Sequence, residues 1–119
     1  MADTANLIRA TSNLPQVLVS QQLAGSETTL YQCPANKSVV VDTATVCNTS
    51  GVTRTVYLSV VKSGGTAGDA NRVAIISLDP GESCTVEELV GFLGPGDFIS
   101  GYASTATAVA VVIRGAVSS

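Results

Sequence analysis

The sequence predicts an all-β protein: an antiparallel β-sandwich of jelly-roll-like form with seven to eight strands, preceded by an extended N-terminal arm. Three observations predict it. From Thr28 onward, short β-branched runs are separated by Gly, Pro, Asn and Asp at spacings of about ten residues, the punctuation of a sandwich or barrel. No segment of helix length repeats its apolar residues with a 3.6-residue period. Val 17, Ala 14, Thr 13, Ser 13 and Gly 11 supply 68 of the 119 residues, so the side chains are small and a thin, strand-built core suits them.

Residues 1–22 differ from the rest. They are polar and turn-prone at Ser12-Asn13-Leu14-Pro15, with short apolar pieces only at Leu7-Ile8 and Val17-Leu18-Val19. Too few apolar residues alternate to pack a full sheet strand, so this stretch reads as an extended arm, frayed or docked on something else, and residues 23–119 as the sandwich. The candidate strands are 28–33, 38–48, 53–62, 73–78, 83–89, 97–104 and 107–114. Asn48-Thr49-Ser50-Gly51 and Pro80-Gly81 read as tight turns in which Gly supplies a positive φ, and Gly94-Pro95-Gly96-Asp97 is a further turn signal. Alternation places Val56, Leu58 and Val60 on one face of their strand and Thr55, Tyr57, Ser59 and Val61 on the other. In the last strand both faces are apolar. Val109, Val111 and Ile113 share one side and Ala108, Ala110 and Val112 the other, which suggests a subunit contact through Val109, Val111 and Ile113 or an Ala-rich face tolerated at the surface.

The counts exclude several functions. Six scattered Lys and Arg residues against nine Asp and Glu, a net charge of −3, do not build a phosphate-neutralising groove, so no nucleic-acid partner is expected. Histidine is absent, which removes the commonest general base and metal ligand. The three cysteines, Cys33, Cys47 and Cys84, lie far apart with no C-x-x-C and read as small buried hydrophobes rather than a zinc site or disulfide framework. The N-terminus does not read as a secretory signal, and the longest apolar run, 108–113, is far too short to span a membrane. Asn36-Lys37-Ser38 and Asn48-Thr49-Ser50 match the glycosylation pattern but read as turn chemistry.

Three constellations could carry chemistry. The Gly-rich stretch from Ser63 to Asp69 lacks the Lys-Ser/Thr pair of a phosphate cradle and reads as a hairpin loop. Glu87 and Glu88, adjacent on a candidate strand, point to opposite faces and suit an edge or a neighbouring subunit's Arg better than acid–base work. Asp79-Pro80-Gly81-Glu82 is too poor in ligands for a calcium loop. No Ser or Thr has an identifiable activating base. No catalytic residue, metal site or cofactor is therefore expected.

The order of these pieces is itself informative. Thr28-Thr29-Leu30-Tyr31 followed by Cys33-Pro34-Ala35, then Val46-Cys47-Asn48-Thr49-Ser50-Gly51, Arg54-Thr55-Val56-Tyr57-Leu58-Ser59-Val60, Gly68-Asp69-Ala70-Asn71, Asp79-Pro80-Gly81-Glu82-Ser83, Gly96-Asp97-Phe98-Ile99 and the closing Val109–Gly115 strand resembles small β-sandwich virion structural proteins of tailed bacteriophages, of head decoration or minor capsid type. The likeness covers roughly residues 23–117, and the three cysteines and the developed arm depart from it. It implies a non-enzymatic capsid decoration protein, made in the host cytoplasm, that docks as a homo-oligomer, a trimer, on the outside of the major capsid protein shell and stabilises it. Weak contacts repeated over many copies suffice for such attachment. Leu7, Ile8, Arg9, Val17 and Val19 are then the candidate docking residues of the arm. The alternative is a tail- or fibre-associated module that contacts the host surface through the loops 63–72 and 90–97.

Overall fold

The computed structural model describes residues 14–118. Nine strands form two antiparallel sheets: β1 Leu14–Gln22, β2 Thr28–Gln32, β3 Ser38–Asn48, β4 Arg54–Val61, β5 Arg72–Leu78, β6 Ser83–Thr85, β7 Gly91–Leu93, β8 Phe98–Ala103 and β9 Val109–Ser118. Sheet A runs β1-β9-β3-β6, with β7 also on β3, and sheet B runs β2-β8-β4-β5. First strand pairs with last, β2 with β8, β3 with β6 and β7, and β4 with β5, which is a long hairpin rolled into a jelly roll. Besides the strands, 3₁₀ turns occupy Asp69–Asn71 and Glu87–Leu89.

The core lies between the inner faces and follows the two-residue period of the pleat. Val39, Val41, Ala44 and Val46 of β3 face Val109, Val111 and Ile113 of β9 across one sheet, while Val56 and Leu58 of β4 and Ile99 and Ala103 of β8 close the other side. The phase of β3 survives a bulge at Asp42, and that of β1 a bulge at Leu18. Val60 packs against the core as its alternation predicts; Val61, on the opposite face, is buried beside Gly65 of the β4–β5 connection. Gly115 is required by close approach, since a Cβ there would overlap the Val40 carbonyl oxygen and crowd Leu18.

Polar groups fix the turns. Asn48 is fully buried, and its amide donates to the Val52 and Leu78 carbonyls at 2.8 and 2.9 Å while its oxygen accepts from the Ser50 backbone and hydroxyl. That side chain shapes the β3–β4 turn. Gly81 takes a positive φ of 77° as expected, but Gly51 is not among the glycines with positive φ. The Glu82 carboxylate accepts the Asp79 N–H, so this acidic turn is closed on itself.

Several expectations are corrected. Residues 14–22 are not outside the sandwich: they form β1, paired along β9, and Val19 is buried in the core. Edge strands of a rolled hairpin cover less core, so β1 needs fewer apolar positions than an interior strand. Val109, Val111 and Ile113 do not form a subunit contact, because each is fully buried inside the monomer; the face of β9 left for partners carries Ala110, Val112, Arg114 and Ala116. Residues 83–89 are not one strand, since β6 ends at Thr85 and Glu87 and Glu88 lie on a 3₁₀ turn, both exposed.

Removing three carbons from a sealed core differs sharply from removing a solvated ring. Ile113→Ala is expected to lower the unfolding free energy by about 2–5 kcal/mol. Phe92→Ala on β7, by contrast, should change it by about 0.5 kcal/mol or less in dilute solution. Urea unfolding of the two variants checks this, and equal effects would contradict the burial of Ile113.

Candidate interaction surfaces

The outer face of sheet A is poor in charge. Register alone aligns Pro15, Ala116, Val40 and Phe92 in one row across β1, β9, β3 and β7. Phe92 is 82% exposed and Val40 41%. The next row holds Val17, 51% exposed, with Arg114 and Thr43. Asp42, the extra residue of the β3 bulge, is exposed and therefore also on this face. Beyond it the face carries Ser20, Val112, Thr45 and Thr85, then Gln22, Ala110, Cys47 and Ser83. Arg114 and Asp42 are the charged residues of these rows, and neither has an ion-pair partner among the described residues. The open side of β1 continues this surface as a nine-residue edge, LPQVLVSQQ, without a charged side chain. Natural sheets usually guard such edges with Lys, Pro or a bulge. β1 has Pro15 and the bulge at Leu18.

The outer face of sheet B is built differently. Tyr57 and Tyr102 are direct cross-strand neighbours and stack at 4.5 Å. The Arg72 guanidinium lies 5.4 Å from the Tyr102 centroid and 5.9 Å from that of Tyr57, within cation–π range. It also makes a two-pronged contact with Glu27, at 3.2 and 2.9 Å, and donates to the Ser59 hydroxyl at 2.7 Å. The Ser100 hydroxyl donates to the same carboxylate at 2.7 Å. Asp69 sits 3.6 Å from Arg72 but is fully solvated, so it adds little. Arg72 is committed to Glu27 and its Nε is buried without a hydrogen-bond partner, so the assembly works as a clamp. It fastens the segment before β2 and the start of β5 to the sheet, leaving Ile75 exposed beside Tyr57.

At one end of the sandwich, Asp97 joins two loops. Its carboxylate accepts the Ser63 and Gly94 N–H groups, both at 2.9 Å, and these bonds hold its carboxyl below the usual range. The β4–β5 connection is further tied by Asn71, which accepts from Gly68 and donates to Thr66.

Of the residues expected to dock or pair subunits, Leu7, Ile8 and Arg9 lie outside the described residues. Val17 is exposed on β1, and Val19, Val109, Val111 and Ile113 are core. Phe92 and Arg72 fall within the loops 90–97 and 63–72 expected of the host-contacting alternative, but neither was singled out as a site residue, and Glu27 lies outside both.

Comparison with known proteins adds little. No family model and no curated protein matches the chain. A solved chain from Bacillus endospore appendages, described as a novel family of disulfide-linked pili, is similar over 91% of this chain and 88% of its own, at 13% identity and a TM-score of 0.49. A likeness of that degree lends nothing to the functional argument. The three cysteines of the present chain are unbridged.

Burial alone would push the Glu27 carboxyl up, but hydrogen bonds from Arg72 and Ser100 and the attraction of the guanidinium outweigh it and hold it below the usual carboxylate range. A carboxyl whose folded value is depressed stabilises the fold above its unfolded value, and that contribution is lost as the pH falls through the folded value. Glu27→Gln should therefore melt below wild type at neutral pH, with the gap narrowing as the solution is acidified below the ordinary carboxylate range. Thermal melts across that range test it; parallel curves would show that the pair does not contribute.

Proposed function

We propose that this chain is a non-enzymatic structural subunit of a tailed-phage virion, a decoration protein that docks in many copies on the outside of the major capsid shell and stabilises it. The observation that carries the reading is β1: a long, uncharged, largely exposed edge strand that continues directly from residues 1–13, where Leu7, Ile8 and Arg9 lie. Pro15 and the bulge at Leu18 interrupt this edge, but the uncharged stretch beyond them can take up extended chain, and main-chain hydrogen bonds repeated over many copies give attachment without a deep pocket. The motifs that resemble phage virion proteins support the same reading. In this fold they fall on turns and strands: Asn48, Asn71, Glu82 and Asp97 each lock a connection. That is what a particle component needs more than a reaction centre.

A second reading has one observation in its favour. The loops 63–72 and 90–97, nominated for a tail or fibre module that contacts the host surface, meet at one end of the sandwich through the Asp97–Ser63 hydrogen bond. Antibody labelling of particles separates the two, with signal over the whole head for decoration and signal at the tail for the alternative.

The boundary at Leu14 sharpens the truncation that tests docking. Removing residues 1–13 should leave the melting temperature nearly unchanged while abolishing co-sedimentation with capsid shells. Removing residues 1–22 should also unfold the sandwich, because it deletes β1. Undiminished shell binding by the shorter truncation would overturn the role given to Leu7, Ile8 and Arg9.

A further inference from the structure

The outer face of sheet A has a property that its apolar content alone does not require: it complements itself. Consider a two-fold axis lying in the plane of the contact, parallel to the strands and midway between β9 and β3. The axis exchanges β9 with β3 and β1 with β7 while preserving position along the strands. The row Pro15, Ala116, Val40, Phe92 then falls on its own copy in reverse order. Phe92, the most exposed large apolar side chain, lands on the partner's Pro15, and Val40 on the partner's Ala116, so large groups meet small ones. One row further, Arg114 lies over the bulge of β3 and meets the partner's Asp42. The two unpaired charges of these rows are of opposite sign and sit on the two strands that the axis exchanges.

We propose that a second copy of this chain docks face to face on sheet A about this axis, with Phe92 as anchor and two Arg114–Asp42 pairs fixing the register. Arg114 and Asp42 lie on β9 and β3, the two strands beside the axis, and set the alignment, while Phe92 on the outer strand β7 closes the apolar row at each margin of the contact. The face spans three inter-strand steps of about 4.8 Å and nine residues of about 3.3 Å each, roughly 14 by 30 Å. Two such faces bury about 800 Å² in all, below the ~1,200 Å² of stable specific pairs, so the dimer is weak, reversible and concentration-dependent. An isologous contact closes on two copies, so its product is a dimer and not the trimer that the phage resemblance implies. It concerns the free chain and stands or falls independently of shell docking.

Light scattering of the purified full chain over a concentration series tests it. Wild type should pass from the mass of one chain to that of two. Phe92→Ser should raise the dissociation constant by about tenfold or more, with an unchanged melt at low concentration showing that the fold is intact. Arg114→Asp and Asp42→Arg should each leave a monomer, since each places two like charges opposite one another. An equimolar mixture of these two variants should recover the two-chain mass, because every pair across the contact is then again opposite in sign. Only pairing between copies predicts recovery on mixing. A monomeric or trimeric wild type, dimerisation indifferent to Phe92, or no recovery in the mixture would each overturn the proposal.

Discussion

The pairing of β3 with β9 is the constraint on which the rest of the molecule depends. It runs from Ser38 opposite Ser118 to Asn48 opposite Val109, the longest ladder of the fold, and β1, β6 and β7 attach to one or the other of its strands. A ladder of this length has to keep its phase, because a slip of one residue would turn Val39, Val41, Val46, Val109, Val111 and Ile113 out to solvent. Two local features protect the register. The bulge at Asp42 absorbs the extra residue of β3, and Gly115 lets the backbones approach at Val40 where no side chain fits. The same bulge brings Asp42 beside Arg114, so the feature that preserves the core phase also places the charges on the outer face.

A core made largely of Val, Ala and Leu between two sheets contains little aromatic bulk to tie distant loops together. The connections are held by polar groups instead. Asn48 reaches the end of β5 through Leu78, Asp97 links the β7–β8 turn to the β4–β5 connection, and Arg72 fastens Glu27 beside β2. Asn48, fully buried, has both amide N–H groups and its oxygen paired, which is the condition under which burying a polar side chain does not weaken a fold. Arg72 Nε does not meet it, and the stacked tyrosines beneath the guanidinium offset part of its cost.

Much of this was legible in the residues. The limits of β3 coincide with the predicted run, β2, β4, β5 and β8 fall within a residue or two of theirs, and jelly-roll pairing follows once the strands are placed. What escaped has physical causes. In β1 the bulge at Leu18 breaks the alternation, and Gln16 and Gln21 occupy inward-phase positions, so a genuine sheet strand looks like a polar arm. In β9 both faces are apolar, so composition does not reveal which one is core; only pairing with β3 shows that Val109, Val111 and Ile113 face inward. Phe92 belongs to a strand of three residues, too short for any periodicity. The Glu27–Arg72 clamp joins residues 45 apart in sequence and had no local signature.

The scarcity of charge acquires a direction from the fold. Charged side chains are few, and they are not spread evenly over the surface that needs them. Arg72 and Glu27 neutralise each other on sheet B, Asp97 and Glu82 are turned onto backbone N–H groups, and sheet A keeps Arg114 and Asp42. A free monomer therefore exposes Phe92, Val40 and Val17 with little charge around them, a combination that favours association. The two surfaces assigned to partners do not compete. Strand addition at β1 extends sheet A within its own plane, whereas a second copy approaches along the sheet normal. The proposed docking on a shell and the proposed pairing of copies are therefore compatible. With both surfaces engaged, Phe92 and the edge of β1, the parts of sheet A least suited to water, are the parts covered.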